Sequence, residues 1–309
     1  MKIAIVNAPS PYLSSNKNYY IYREEGCYYV SKRRINPCGA LQLATVFKKL
    51  GYDVKFLDAN SERIDHNKTL LWINEGNFDK VIVIRSPLDK IKLKTLSIIY
   101  LSYLTTDWIG LLTGKYNTLP PAALDLLNPK IYQVAQVQVA RGCPYRCIFC
   151  LYRQTKVVYK PIDIVIKEIQ FWRKIVRRYI YFFAPELSID REYVEELCSK
   201  LIKLNLGIKW WANARIGHVD YELSILMKKA GCIKLAFGCE SGVDEILAIN
   251  KKGITTEDII KQREILKKAG IWFAAYFIIG LRRRNRRTVK FKFIVKFILK
   301  YRLSHLNLY

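Results

Sequence analysis

The stretch QVAQVQVARGCPYRCIFC, residues 133–150, runs an apolar segment straight into a loop that carries Cys143, Cys147 and Cys150. The first eight residues read as a short buried strand. The thiols follow directly on its end. They are therefore expected on a βα loop at the carboxyl edge of a parallel sheet, where such folds place their chemistry. Three thiolates at spacings of four and three residues can each hold one iron of a cubane and leave the fourth iron open. A purely electron-carrying cluster uses four ligands, and a closed zinc site also takes four. The neighbourhood supplies no fourth: the histidines are His66, His218 and His305, and the next cysteine is Cys198.

Toward the C-terminus, strands fit YIYFFA (179–184), IKWWANA (208–214), CIKLAFG (232–238), WFAAYFIIG (272–280) and HLNLY (305–309). Helix-length amphipathic segments separate them. One helix runs from Asp220 to Gly231, and another opens on the capping pattern Thr255-Thr256-Glu257-Asp258 and stops at Gly270. Six strands with right-handed helical crossovers curl into a barrel or an open part of one. The sixth expected strand reaches the final residue, so the barrel reads as truncated at its C-terminus. The aromatic residues of these strands, among them Tyr179 to Phe183, Trp210-Trp211 and Trp272-Phe273, are expected in the core.

Toward the N-terminus, KIAIVN (2–7), YDVKFLDAN (52–60) and DKVIVIRSP (79–87) read as strands, with a helix over GALQLATVFKKLG (39–51). That is a βαβ pattern and a parallel sheet. Periodicity blurs from 88 to 130 and ends in a proline-rich connection, TLPPAALDLLNPKIY. The fold class is α/β. A Rossmann/flavodoxin-like parallel-sheet domain (1–118) is followed by a linker (119–132) and a partial (β/α)6 TIM-type barrel (133–309).

In 309 residues, 52 Lys and Arg face 26 Asp and Glu, a formal charge of +26. This invites an anionic partner such as nucleic acid, but the basic residues are spread over nearly every segment and form no single patch, so nucleic acid is not favoured. The longest apolar candidate, SIIYLSYLTTDWIGLL, is interrupted by Thr105, Thr106 and Asp107, which excludes a membrane span there. MKIAIVNAPS reads as a first strand and not as a cleaved leader, so the chain is expected in the cytoplasm. A crowded cysteine loop in a reducing compartment points to metal or redox chemistry more than to disulfides.

CPYRCIFC, with Phe149 just before its last cysteine, resembles the CxxxCxxC motif of the radical S-adenosylmethionine (SAM) superfamily. NPCGALQLATVFKKLGYDVKFLDAN (36–60) is similar to the N-terminal cobalamin (B12)-binding-like domain of one branch, and the stretch from Ile208 to Ile271 is similar to that branch's barrel. The resemblance implies a [4Fe-4S] cluster on Cys143, Cys147 and Cys150 that reductively cleaves SAM to a 5′-deoxyadenosyl radical. Hydrogen abstraction then serves methyl transfer or oxidative cyclisation of an unidentified small-molecule substrate, with a ferredoxin- or flavodoxin-type reductant. It also implies that Phe149 packs near the adenine. Glu186, Asn213, Arg215, Glu240 and Gly280 would contact the bound SAM, a guanidinium suiting its carboxylate and carboxylates its amine or ribose.

The chain departs from the family pattern in three places. Ala184-Pro185-Glu186-Leu187-Ser188 stands where relatives carry a glycine- or acid-rich turn. Gly280-Leu281 runs into the basic stretch Arg282 to Arg287 instead of a Pro-Gly-Glu turn. The DxHxxG signature for a cobalt-ligating histidine is absent, since Asp65 and His66 are adjacent with no glycine in place, which leaves cobalamin open as a cofactor. Two alternatives stand beside the leading reading: a tRNA-modifying radical SAM enzyme, and a degenerate cluster-binding protein without turnover.

Overall fold

The computed structural model describes residues 1–7, 20–24, 27–31, 37–84, 98–101, 120–150, 152–176, 179–278, 281 and 306–308. Its contacts divide the chain into two compact units, residues 1–136 with 167–177, and residues 137–166 with 178–309.

The first unit opens with β1 (Lys2–Asn7), an antiparallel hairpin of β2 (Tyr20–Glu24) and β3 (Cys27–Ser31), and α1 (Cys38–Lys49). Next come β4 (Asp53–Asp58), the short α2 (Ala59–Glu62), α3 (His66–Glu75), β5 (Lys80–Ile84) and β6 (Ile98–Leu101). The sheet order is β4-β1-β5-β6, and every pairing is parallel. The chain starts in β1, moves to one side and returns to the other, which is the flavodoxin-like switch of strand order.

The composition of β1 explains why it is central. Ile3 and Ile5 pack with Ala40, Leu43 and Ala44 of α1, while Ala4 and Val6 pack on the other side with Leu57, Ile73, Phe78 and Val83. A strand apolar at four consecutive positions, here Ile3 to Val6, can bury both faces, and each buried aliphatic side chain contributes about 1.5–3 kcal/mol. At the carboxyl end, Asp58 is buried, accepting from Asn7 Nδ2 at 2.7 Å, the Tyr132 hydroxyl at 2.6 Å and Ser61 N at 3.2 Å. Burial raises its carboxyl above the ordinary value, and the hydrogen bonds from Tyr132, Asn7 and Ser61 act against that.

The second sheet begins with β7 (Ala135–Gln138), which a one-residue break separates from β8 (Ala140–Arg141). The expected strand over 133–140 is thus two short strands, because β8 leaves the main sheet to pair antiparallel with β9 (Val158–Tyr159). After α4 (Ile162–Arg173) come β10 (Tyr179–Phe183), α5 (Arg191–Leu204), β11 (Lys209–Ala214), α6 (Tyr221–Lys229) and β12 (Cys232–Glu240). The sheet closes with α7 (Asp244–Ile249), α8 (Thr256–Lys268), β13 (Trp272–Phe277) and β14 (Leu306–Leu308). The order β14-β13-β12-β11-β10-β7 follows the sequence, and the pairings from β10 to β14 are parallel, as a partial βα barrel requires.

Side-chain caps fix the starts of α5, α6 and α8, while α1 and α7 have none. Asp190 accepts from Tyr193 N at 3.0 Å, Asp220 from Leu223 N at 2.8 Å, and Thr255 with Asp258 forms a full capping box. The helices expected to open at Asp220 and at Thr255 therefore begin where the sequence placed them. The expectation that the strand aromatics lie in the core holds for Phe182, Trp210 and Phe273 and fails for Trp272, which is 61% exposed. Among the described residues, no helix is long and apolar enough to cross a membrane.

Candidate active site

The cysteine loop leaves the sheet at β8 and returns at β9, and this two-stranded ladder brings its ends together. Gly142 makes the exit: its φ is +87°, and a Cβ there would collide with the Lys156 carbonyl, whose carbon would lie 2.7 Å away. Only glycine accommodates both the left-handed backbone and this close approach. Across the loop, Cys143 N donates to Thr155 Oγ1 at 2.9 Å and Thr155 N to the Cys143 carbonyl at 3.0 Å. Gln154 N donates to the Tyr145 carbonyl at 2.9 Å, and Cys150 N to the Cys147 carbonyl at 3.1 Å. Ile148 N reaches the carbonyl of Asn250, the residue that ends α7, at 3.1 Å.

Cys147 is buried and Cys143 and Cys150 are partly exposed; none is in a disulfide. Burial raises the Cys143 thiol, the Tyr145 N–H lowers it, Glu186 and Cys147 add to the rise, and Arg215 opposes it. Cys198, by contrast, is a core thiol pushed up to about 12 by burial. Among the described residues, no three His, Cys, Asp or Glu side chains are arranged around one metal ion. Thiolates that each bind their own iron of a cubane do not converge in that way.

Glu186 follows β10 and is 5% exposed. Its Oε1 accepts from Ser188 N at 2.5 Å, from the Ser188 hydroxyl and from Arg215 N at 3.2 Å. Its Oε2 is buried without a hydrogen-bond partner among the described residues, with His218 Nδ1 at 3.6 Å. A buried carboxylate oxygen left open in this way is suited to accept from a bound ammonium group. This orphaned oxygen and the three thiols of the loop together fit a cluster that binds SAM.

Arg215, just past β11, is 9% exposed, and its guanidinium stacks 3.6 Å over the Tyr145 ring while donating to the Lys252 and Gly253 carbonyls. Glu240 ends β12 at a φ of +60° and pairs through Oε1 with Lys252 Nζ at 2.9 Å. Lys252 Nζ also lies 6.0 Å from the Phe149 ring centroid. Asn213 donates to the Tyr181 hydroxyl at 3.1 Å. Gly280 and the run Arg282 to Arg287 lie outside the described residues.

The structure thus links Cys143, Cys147, Glu186 and Arg215 electrostatically, and joins Phe149 to Glu240 through Lys252. Three members were not legible in the sequence: Tyr145, whose hydroxyl is 2.6 Å from His218 Nε2, His218 itself, and Lys252. Tyr145 occupies a position that the cysteine motif leaves unspecified, and Lys252 lies in a loop with no periodicity to point to it.

The radical SAM superfamily model matches residues 137–291. The anaerobic magnesium-protoporphyrin IX monomethyl ester cyclase of Rubrivivax gelatinosus is 30% identical over 204 residues, 62% of this chain and 34% of that protein. An uncharacterized methyltransferase of Pyrococcus horikoshii is 27% identical over 201 residues, 62% of this chain and 44% of its own length. The chain therefore spans less than half of these curated relatives. Among solved structures, the radical SAM methyltransferase TsrM of Kitasatospora setae superposes with a TM-score of 0.70 at 12% identity, covering all of this chain and 73% of its own (100% of this chain). The cobalamin-dependent radical SAM enzyme OxsB gives 0.69 at 16% identity, covering 97% of this chain and 51% of its own. At these identities the two structures speak to the fold. The family match extends over half of the sequence and contains the whole cysteine loop, and the chain belongs to the radical SAM superfamily.

Proposed function

We propose that this chain is an enzyme that cleaves SAM reductively and uses the radical for hydrogen abstraction from a small molecule, leading to methyl transfer or oxidative cyclisation. When bound, a [4Fe-4S] cluster supplies the electron that breaks the sulfonium C5′ bond. The observation that carries the reading is the setting of Cys143, Cys147 and Cys150: one loop, anchored at both ends, at the carboxyl edge of the sheet beside the open Glu186 oxygen. Those three side chains would hold the cluster.

Glu186 would accept from the SAM ammonium through Oε2, with Oε1 fixed by Ser188 and Arg215 N so that the carboxylate does not turn. Phe149 would pack by the adenine. Glu240, held by Lys252, and Asn213 would face the ribose. Arg215 would bring positive charge to the SAM carboxylate from its place over Tyr145. Gly280 is kept in the proposed set on the family pattern alone. The division into residues 1–118, 119–132 and 133–309 is likewise our functional reading, with cobalamin open in the first part. A ferredoxin or flavodoxin in a reducing cytoplasm is the proposed electron source.

The test is anaerobic reconstitution followed by dithionite and SAM, with 5′-deoxyadenosine measured by chromatography. Wild type forms it, while C143A, C147A and C150A do not. E186Q keeps its iron but binds SAM about tenfold or more weakly, since a hydrogen bond to a charged group contributes about 1.5–3 kcal/mol. Absence of 5′-deoxyadenosine from iron-replete wild type contradicts the proposal.

A further inference from the structure

The second sheet has two faces of different character. Trp210 Nε1 donates to the carbonyl of Ala230 at the end of α6, 3.0 Å away, so Trp210 faces the helix layer, where it stacks on Phe182 at 4.8 Å. Successive side chains on a strand alternate. Trp211 therefore lies on the opposite, inner face, where it stacks on Tyr181 at 5.6 Å with only 13° between the rings. The register puts Tyr181 beside Trp211 and Trp211 beside Lys234, so the three form one cross-strand row. Two residues along β11 on the same face is Asn213, bonded to the Tyr181 hydroxyl at 3.1 Å. The row is thus continuous with the candidate SAM site.

Lys234 is the unusual member of this row. Its ammonium lies 5.4 Å from the Trp211 ring centroid, and among the described residues it has neither a carboxylate partner nor a hydrogen-bond acceptor. Burial lowers its pKa, and no acidic group opposes that effect. A half-buried cation with only an aromatic face for company is incompletely compensated, because a cation–π contact does not replace the lost water. The chain has plentiful exposed positions for a lysine, and this one lies half-buried on the inner face of the sheet, between Trp211 on one side and the 61% exposed Trp272 on the other.

We propose that Tyr181, Trp211 and Lys234 form the substrate subsite, and that it takes a planar conjugated small molecule with an anionic group, the ring lying against Trp211 and the anion on Lys234. This rests on the enzyme reading and names its substrate class. From Trp211 to Arg215 is four residues, about 13 Å at ~3.3 Å per residue, so the anion lies about that far below the SAM end of the barrel. A carboxylate and a phosphate share the required chemistry, and both belong in the test.

The full-length, cluster-reconstituted protein is titrated calorimetrically with naphthalene-2-carboxylate, 2-naphthyl phosphate and neutral naphthalene-2-carboxamide. The wild type binds at least one anion about tenfold or more tightly than the amide. K234Q loses that preference while its amide affinity stays the same, K234R keeps it, and W211A weakens all three probes. Whichever anion shows the larger loss in K234Q identifies the headgroup. Equal affinity of wild type for anions and amide, or a preference that survives in K234Q, overturns the proposal. Should K234Q not fold, K234M takes its place, with the same loss of anion preference expected and its survival overturning the proposal. Because binding is read without SAM cleavage, failure here leaves the radical reading standing, and absence of 5′-deoxyadenosine formation leaves the binding result standing.

Discussion

Two glycines of the second unit share a φ of +87° and differ in what surrounds them, which makes a controlled experiment. A methyl group at Gly217 meets nothing within 4 Å, whereas one at Gly142 runs into the Lys156 carbonyl and lies 3.2 Å from Val157 Cα. Alanine in the left-handed region costs about 1–2 kcal/mol at either site. The reduced entropy of the unfolded chain is the same for both and cancels in the comparison. G142A must in addition move residues 156 and 157 away, which pulls Thr155 off Cys143. Two hydrogen bonds, at 2.9 and 3.0 Å, are then lost, at about 1 kcal/mol each. G142A should therefore be less stable than G217A by about 2 kcal/mol, or roughly 4–8 °C in melting temperature for a unit of this size. Circular-dichroism melting of the reduced, cluster-free proteins measures it. Iron and sulfide after reconstitution give the functional half, with G217A loading like wild type and G142A loading poorly. Equal melting temperatures and equal iron would refute the view that a close backbone crossing shapes the cysteine loop.

Other expectations follow from buried charges. Burial holds the Asp58 carboxyl above the ordinary carboxylate value, so the folded chain binds more protons than the unfolded one just above that value. Stability from this group is full below 3.8 and is lost as pH rises through the folded pKa. The stability of wild type minus that of D58N, from urea midpoints at pH 4 and 7, should fall as pH rises; a constant difference would contradict it. Glu240 and Lys252 have side chains 9% and 12% exposed and 2.9 Å apart. E240Q or K252M alone should cost about 3–5 kcal/mol by leaving the other charge buried, and the double variant much less than the sum. Additive losses in that cycle would mean the pair does not couple.

Much of the fold was readable because local signals agree with the tertiary structure. β1 is apolar from Ile3 to Val6 because it is buried on both faces, and Asp220 and Thr255 cap their helices as their positions suggest. The hairpin of β2 and β3 was missed, and so was the pairing of β8 with β9, because a two-residue ladder across a long loop leaves no periodic trace. The cysteines were legible from their spacing together with their place directly after the expected strand that ends at Ala140. Their supports were not: Tyr145, His218 and Lys252 come from separate segments that only the fold brings together. The adjacent tryptophans show the same limit, since Trp210 and Trp211 are identical in composition and take opposite faces of one strand.

The central claim is that three thiolates leave one iron of the cluster open to SAM. Electron paramagnetic resonance of the dithionite-reduced, reconstituted protein tests it directly, with and without SAM, alongside iron and sulfide content. About four irons per chain are expected, with a spectrum whose g-values shift when SAM is added, a shift that E186Q shows only at higher SAM concentration. A [4Fe-4S] spectrum identical with and without saturating SAM would contradict it.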